Sequence, residues 1–254
     1  MVERFPVTVP TEQGEEERLV YIYLPQSYFH KPKRRYPVLY MFDGHNVFFD
    51  ADATFGKSWG MERYMEQSGR QLIIVAVECS HAAENGRLKE YAPFSFQADD
   101  VGEIIGRGKE TMDWFAYALK PAVDAHFRTK ADRRHTFLAG SSMGGLMTLY
   151  GLTAYPHIYS RGAALSPSLW VDGEKSKTML RHAELPSDVV LYMDYGALEF
   201  SNHKNSRRLF AESTALLMEK GVLLNSRIVP KGTHCEASWE RQIPFFMKTL
   251  FDKI

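Results

Sequence analysis

A chain of 254 residues, 44% hydrophobic and 24% charged, has the balance of a soluble globular protein and the length of one α/β domain spanning residues 1–254. Its 31 basic and 31 acidic side chains cancel, which removes the electrostatic case for nucleic acid or an anionic membrane as partner. The two cysteines, Cys79 and Cys235, stand far apart without a CxxC, which argues against a disulfide framework or a zinc knuckle.

No apolar run approaches the ~18 residues that span a bilayer. The first twenty residues carry acids and lack the apolar stretch of a secretory signal, so a cytoplasmic enzyme with reduced thiols is expected. In chain order, Val7 and Val9 alternate with polar neighbours, residues 18–25 (RLVYIYLP) form a strong strand, and TEQGEEE between them supplies a hairpin loop. Buried-strand runs follow at 37–42, 72–77, 135–140, 162–165, 189–194 and 226–230. Helical patterns at 60–67, 111–127, 146–155, 206–220 and 237–251 separate them, the second bent near Pro121 because proline cannot donate within a helix. This alternation predicts an α/β fold with a mostly parallel central sheet, antiparallel N-terminal edge strands and helices on both faces. Residues 79–108 are glycine-punctuated without clear periodicity. Loops of this length serve function more often than connection, so this one is expected beside the active site.

The chemical signal is FLAGSSMGGL. Gly140-Ser141-Ser142-Met143-Gly144 matches G-x-S-x-G between a buried strand and an apolar helix, the context of a nucleophile elbow. The turn projects the Ser142 hydroxyl out of the sheet, and strand and helix approach so closely there that Gly140 and Gly144 leave no room for side chains. Ser141 is out of register with the two glycines. The Met143 N–H opens the helix and points at the oxyanion that forms when Ser142 attacks a carbonyl. A serine hydroxyl needs a base oriented by a third group. In this fold the chain order is Ser, acid, His. Among the histidines after Ser142, His234 in KGTHCEASW lies just past the last strand, where such a sheet gathers its active site. The acid should follow VVLYMDYG. Glu199, in the loop, is favoured over Asp194, still in the strand, because a loop carboxylate can reach over the sheet edge. The second oxyanion donor should come from MFDGHN, where Gly44 permits a sharp turn and the His45 N–H is the candidate. Trp59 and Trp170 follow strand ends and could line an acyl or aromatic pocket, or be buried core tryptophans.

The combination of YPVLYMFDGHNVFFD, GSSMGG, YMDYGALE and GTHCEASW resembles the Putative esterase (esterase D) family of α/β-hydrolases, in the branch related to ferric-enterobactin esterases. The resemblance runs over about residues 18–250 and implies the α/β-hydrolase fold. It also implies an acyl-enzyme serine, a late histidine and an acid after the penultimate strand, roles that fall on Ser142, His234 and Glu199. The family pattern carries glutamine where this chain has His45, which leaves a backbone donor in place but changes the pocket wall. Its arginine and tyrosine in the long loop correspond to Arg87 and Tyr91, as structural or substrate-pocket residues. The expected function is serine carboxylic-ester hydrolysis of a small-molecule ester, with no metal or organic cofactor. A siderophore trilactone hydrolase, an acyltransferase on the same fold and a non-catalytic binding domain are the alternatives, and a homo-oligomer is left open.

Overall fold

The computed structural model describes residues 1–98, 101–201, 203 and 205–251. The chain opens with an antiparallel hairpin, β1 (Val2–Thr11) and β2 (Gly14–Tyr23). Only residues 12 and 13 form the turn. Glu15, Glu16 and Glu17, expected in the loop, belong to β2 and pair with Pro10, Val9 and Thr8. This end of the ribbon runs past the neighbouring strand, so its glutamates meet water and carry no burial penalty.

After α1 (Ser27–His30) come β3 (Val38–Met41), α2 (Met61–Ser68), β4 (Ile73–Val77) and α3 (Gly86–Glu90). A small antiparallel pair, β5 (Phe96–Ala98) and β6 (Gly102–Ile104), follows. The long segment after β4, read from sequence as irregular, thus contains a helical turn and a hairpin. The pattern at 111–127 becomes α4 (Gly108–Trp114), a π turn (Phe115–Leu119) and α5 (Lys120–His126). Pro121 sits in the first turn of α5, where a missing N–H costs no helical bond, and the π turn takes up the break. Then come β7 (Thr136–Ser141), α6 (Met143–Ala154), β8 (Arg161–Leu165), α7 (Gly173–His182) and β9 (Val190–Gly196). The chain continues through α8 (Ser206–Glu219), β10 (Leu223–Val229), α9 (Glu236–Glu240) and α10 (Ile243–Phe251). Helix α7 was not anticipated, although Asp172 caps it by accepting from the Lys175 N–H.

The eight-stranded sheet has the order β1-β2-β4-β3-β7-β8-β9-β10. β2 pairs antiparallel with β1 and β4, and every later pairing is parallel. Side chains alternate across each strand, so one core forms on each face. Val38, Tyr40, Ile73 and Val75 pack with Leu146, Leu149 and Leu209 on one side. Leu39, Met41, Ile74 and Ala76 pack with Met61, Phe246 and Leu250 on the other. Helix α6 is buried almost all round, which matches its nearly continuous apolar sequence. The molecule has the α/β-hydrolase fold, and the carboxyl ends of its parallel strands converge on one edge.

Candidate active site

Strand β7 delivers Ser142 at that edge. Ser142 has φ 58° and ψ −122°, a conformation L-residues avoid. Tight local packing holds it there. A Cβ on Gly140 would stand 2.6 Å from the carbonyl carbon of Gly144, and one on Gly144 would stand 2.9 Å from Phe42 Cβ. The Ser142 N–H donates to the Leu165 carbonyl at 2.9 Å, and its own carbonyl accepts from the Ser168 N–H at 3.0 Å. The side chain is therefore pushed outward at the mouth of α6. Met143 is the first residue of α6, and its N–H belongs to the first turn, which has no partner within the helix.

Strand β9 leads to the candidate acid. Glu199 opens a short 3₁₀ turn and is 1% exposed. Its Oε2 lies 2.6 Å from Nδ1 of His234, while its Oε1 accepts from the Gly196 N–H at 2.9 Å and the Ser166 hydroxyl at 2.8 Å. With Nδ1 so engaged, Nε2 is the basic nitrogen of His234. Asp194 does not reach a histidine. It accepts from the Tyr192 hydroxyl at 2.7 Å and the Ser166 N–H at 3.2 Å, beneath the site. Burial pushes its carboxyl up to about 7 against these two donors, with the Glu199 charge adding to the rise.

Two residues that sequence reasoning missed complete this arrangement. Ser166, at φ 43°, donates its hydroxyl to Glu199 and accepts from the Trp239 indole N–H at 3.1 Å. The Trp239 ring meets the His234 ring at 5.0 Å and 83°, so Glu199, Ser166 and Trp239 together fix the imidazole plane. GAALSPSLW shows a serine-rich loop leaving a buried strand, but nothing in it marks Trp239 as the partner. The Ser142 hydroxyl lies 3.3 Å from the Ser168 hydroxyl, its hydrogen bond in this structure, rather than in contact with His234.

The loop after β3 supplies the other wall. Asp43 takes the left-handed conformation (φ 57°), and Gly44, His45 and Asn46 form a 3₁₀ turn. A Cβ on Gly44 would stand 2.5 Å from the Ala76 carbonyl oxygen, so only glycine fits against β4. Arg87 grips both oxygens of Asp43, at 2.6 and 2.8 Å, and the Tyr91 hydroxyl accepts the Asp43 N–H at 3.2 Å. Burial alone would raise the Asp43 carboxyl, but the Arg87 guanidinium holds it below its ordinary range. Arg87 and Tyr91 thus brace the His45 loop from behind, in line with the structural one of the two roles open to them, Tyr91 being wholly buried. The N–H groups of Asn46 and Val47 are bonded within the turn, to Asp43 and Gly44; that of His45 has no such bond.

Trp59 is core, packed on Trp239 and Phe246. Trp170, two residues past Ser168, is partly buried and stacks on His203 at 4.1 Å and 10°, with Phe96 T-shaped to it. These residues together present a serine hydroxyl on a strained turn, an imidazole held by a carboxylate, and two backbone N–H groups on opposing loops, groups of the kind that acyl transfer uses.

The model of the Putative esterase family matches residues 11–248, and the chain belongs to that family. It is a carboxylic-ester hydrolase by class. The protein YbbA of Bacillus subtilis (strain 168) is 22% identical over 217 residues, 83% of this chain and 82% of its own. Among solved structures, an IroE-like serine hydrolase from Shewanella oneidensis superposes with a TM-score of 0.75 at 20% identity, over 98% of this chain and 79% of its own. The siderophore hydrolase EstB from Aspergillus nidulans does so with a TM-score of 0.71 at 20% identity, over 98% and 96%. Among the described residues, no helix is long and apolar enough to cross a membrane.

Proposed function

We propose that the chain, acting as a single domain over residues 1–254, hydrolyses a small-molecule carboxylic ester through an acyl-enzyme on Ser142. His234 takes the hydroxyl proton as Ser142 attacks the ester carbonyl, and the N–H groups of Met143 and His45 hold the oxyanion. His234 then gives the proton to the departing alcohol. Water, deprotonated by the same imidazole, attacks the acyl carbon and releases the acid. Glu199 keeps the imidazole in the productive tautomer and stabilises its cationic form. The observation that carries this reading is the 2.6 Å pairing of Glu199 with His234 Nδ1, on the edge of the sheet where Ser142 stands on its strained turn. The Ser142 hydroxyl must leave Ser168 for His234 before attack, a contact of the kind that tightens when substrate binds.

A feruloyl ester and a plain acetyl ester are both small-molecule substrates that this chemistry serves. A siderophore lactone is the second reading, supported by the likeness to the siderophore hydrolase EstB. A panel of acetyl, feruloyl, catecholate-lactone and thioester substrates separates these. Ser142→Ala should lower kcat on the best of them by about 10⁴-fold or more. Activity near that of the unaltered enzyme would overturn the assignment of the nucleophile.

A further inference from the structure

The parallel pairing of β3 with β4 aligns Met41 with Ala76, so the segments that leave these two strands run side by side. One reads Asp43-Gly44-His45 and the other Cys79-Ser80-His81. A carboxylate oxygen of Asp43, a ring nitrogen of His45 and the sulfur of Cys79 all lie within 4.8 Å of one another, and all three residues are buried. The His81 ring stands 5.0 Å from the His45 ring, on the exposed side.

An independent feature marks this cluster as a binding site. His45 is only 5% exposed. Its Nε2 lies 3.1 Å from the Thr54 hydroxyl, but its Nδ1 has no hydrogen-bond partner. With the proton on Nε2, Nδ1 presents a buried lone pair that nothing satisfies, which is costly and is what a metal ion takes. We propose that Asp43, His45, Cys79 and His81 form a tetrahedral site for a zinc-type divalent transition metal, built on the loop that carries the His45 N–H.

The donor set, one thiolate, two imidazoles and one carboxylate, is the mixed N/S/O set such ions accept. Bonds of about 2.0–2.3 Å place tetrahedral ligands about 3.3–3.8 Å apart, so the cluster must contract by about an ångström while exposed His81 turns inward. Arg87 already holds Asp43. A carboxylate has about four lone-pair sites, and Arg87 occupies two, so Asp43 can bridge guanidinium and ion. Binding releases the Cys79 proton to solvent and leaves a site of one net positive charge. The inference does not rest on the catalytic reading.

Full-length protein freed of metal with a chelator and titrated with Co²⁺ tests this. One equivalent should bind, giving a thiolate-to-cobalt charge-transfer band with strong tetrahedral visible absorption, and Zn²⁺ should displace it. Cys79→Ala should abolish the band, with Cys79→Ser as the substitute should the alanine variant unfold. His81→Ala, at an exposed position, should weaken Zn²⁺ binding by about 10–100-fold or more, the loss that even an outer-shell change brings. Cys235→Ala, which removes the other thiol, should change neither. Absence of the band, its persistence without Cys79, or undiminished Zn²⁺ affinity in folded His81→Ala would each overturn the proposal.

Discussion

Glu199 and Asp194 sit five residues apart at the end of β9, both about 1% exposed, yet their surroundings give them different work. Glu199 has two donors on one oxygen and an imidazole on the other, so its charge is fully used. Asp194 has a tyrosine hydroxyl and a backbone N–H, and burial lifts it to about 7 against these donors and the weaker pull of the Arg227 charge. Glu199→Gln offers His234 an amide in place of an anion and should lower kcat by about 10²–10⁴-fold, as loss of an orienting carboxylate does. Asp194→Asn should leave kcat near that of the unaltered enzyme, because the new amide N–H can donate to Tyr192, whose hydroxyl then turns to Gln242 Oε1 at 3.4 Å. Steady-state kinetics on one ester checks both, and the opposite ranking would transfer the orienting role to Asp194. Asp194 also carries a stability signature. Its folded pKa exceeds its unfolded one, so between about pH 4 and 7 the folded state binds more proton and stability falls as pH rises. The full penalty above pH 7 is on the order of 4 kcal/mol. Asp194→Asn should remove it, so its advantage in urea midpoint over the unaltered enzyme should be larger at pH 8 than at pH 5. Parallel pH profiles for the two proteins would refute the assignment.

At the scale of elements, β7, its turn and α6 form a unit whose glycines are fixed by contact distance. A methyl on Gly140 would lie 2.6 Å from backbone atoms of Gly144, and backbone cannot rotate aside as a leucine end can. Gly140→Ala should therefore cost about 3 kcal/mol or more and lower Tm by about 6–12 °C, as read by thermal unfolding; a Tm within a degree or two would show that the junction relaxes freely. The same local physics made this unit legible in the sequence. A strained elbow demands glycine at fixed spacing, and a buried parallel strand demands an unbroken apolar run, as at Ile73–Val77 and Thr136–Ser141. The β1–β2 turn was drawn too wide because GEEE suits a loop as well as it suits a solvated ribbon. The segment after β4 hid α3 and the β5–β6 pair because elements of three to five residues leave no period to detect. Ser166 and Trp239 were invisible for another reason. Residues 73 positions apart meet only once β8 and α9 are docked, and nothing local in either segment announces the contact. The same holds for Asp43 and Cys79, which strand pairing alone brings together.

Over the whole molecule, the cancelling charges lean by strand direction, although acids such as Asp132 and Asp188 pair with the cations at the strand starts. Arg34 and Arg35 lead into β3, Arg70 into β4, and Arg128, Lys130, Arg133 and Arg134 into β7, so cations gather where the parallel strands begin. At the other end, Val20 pairs with Val77, the last residue of β4. The earlier part of β2 therefore projects beyond the sheet with Glu12, Glu15 and Glu17 exposed at its tip. Glu78 and Glu84 add to this end, where Lys89 and Arg18 offset only part of the charge. With a pI near 7.1, the molecule at neutral pH has no net repulsion to keep copies apart, and the association this arrangement predicts is a head-to-tail contact between its opposite ends. That contact is heterologous, so it extends into chains rather than closing a dimer. Light scattering at about pH 7 and low salt should rise with protein concentration. It should fall on raising salt to about 0.3 M, where screening shortens the reach of the field to well under 10 Å. It should fall as well at pH 9, where net negative charge restores repulsion. Scattering that grew with salt would instead assign the association to apolar surface and leave the sorted charge without a role in it.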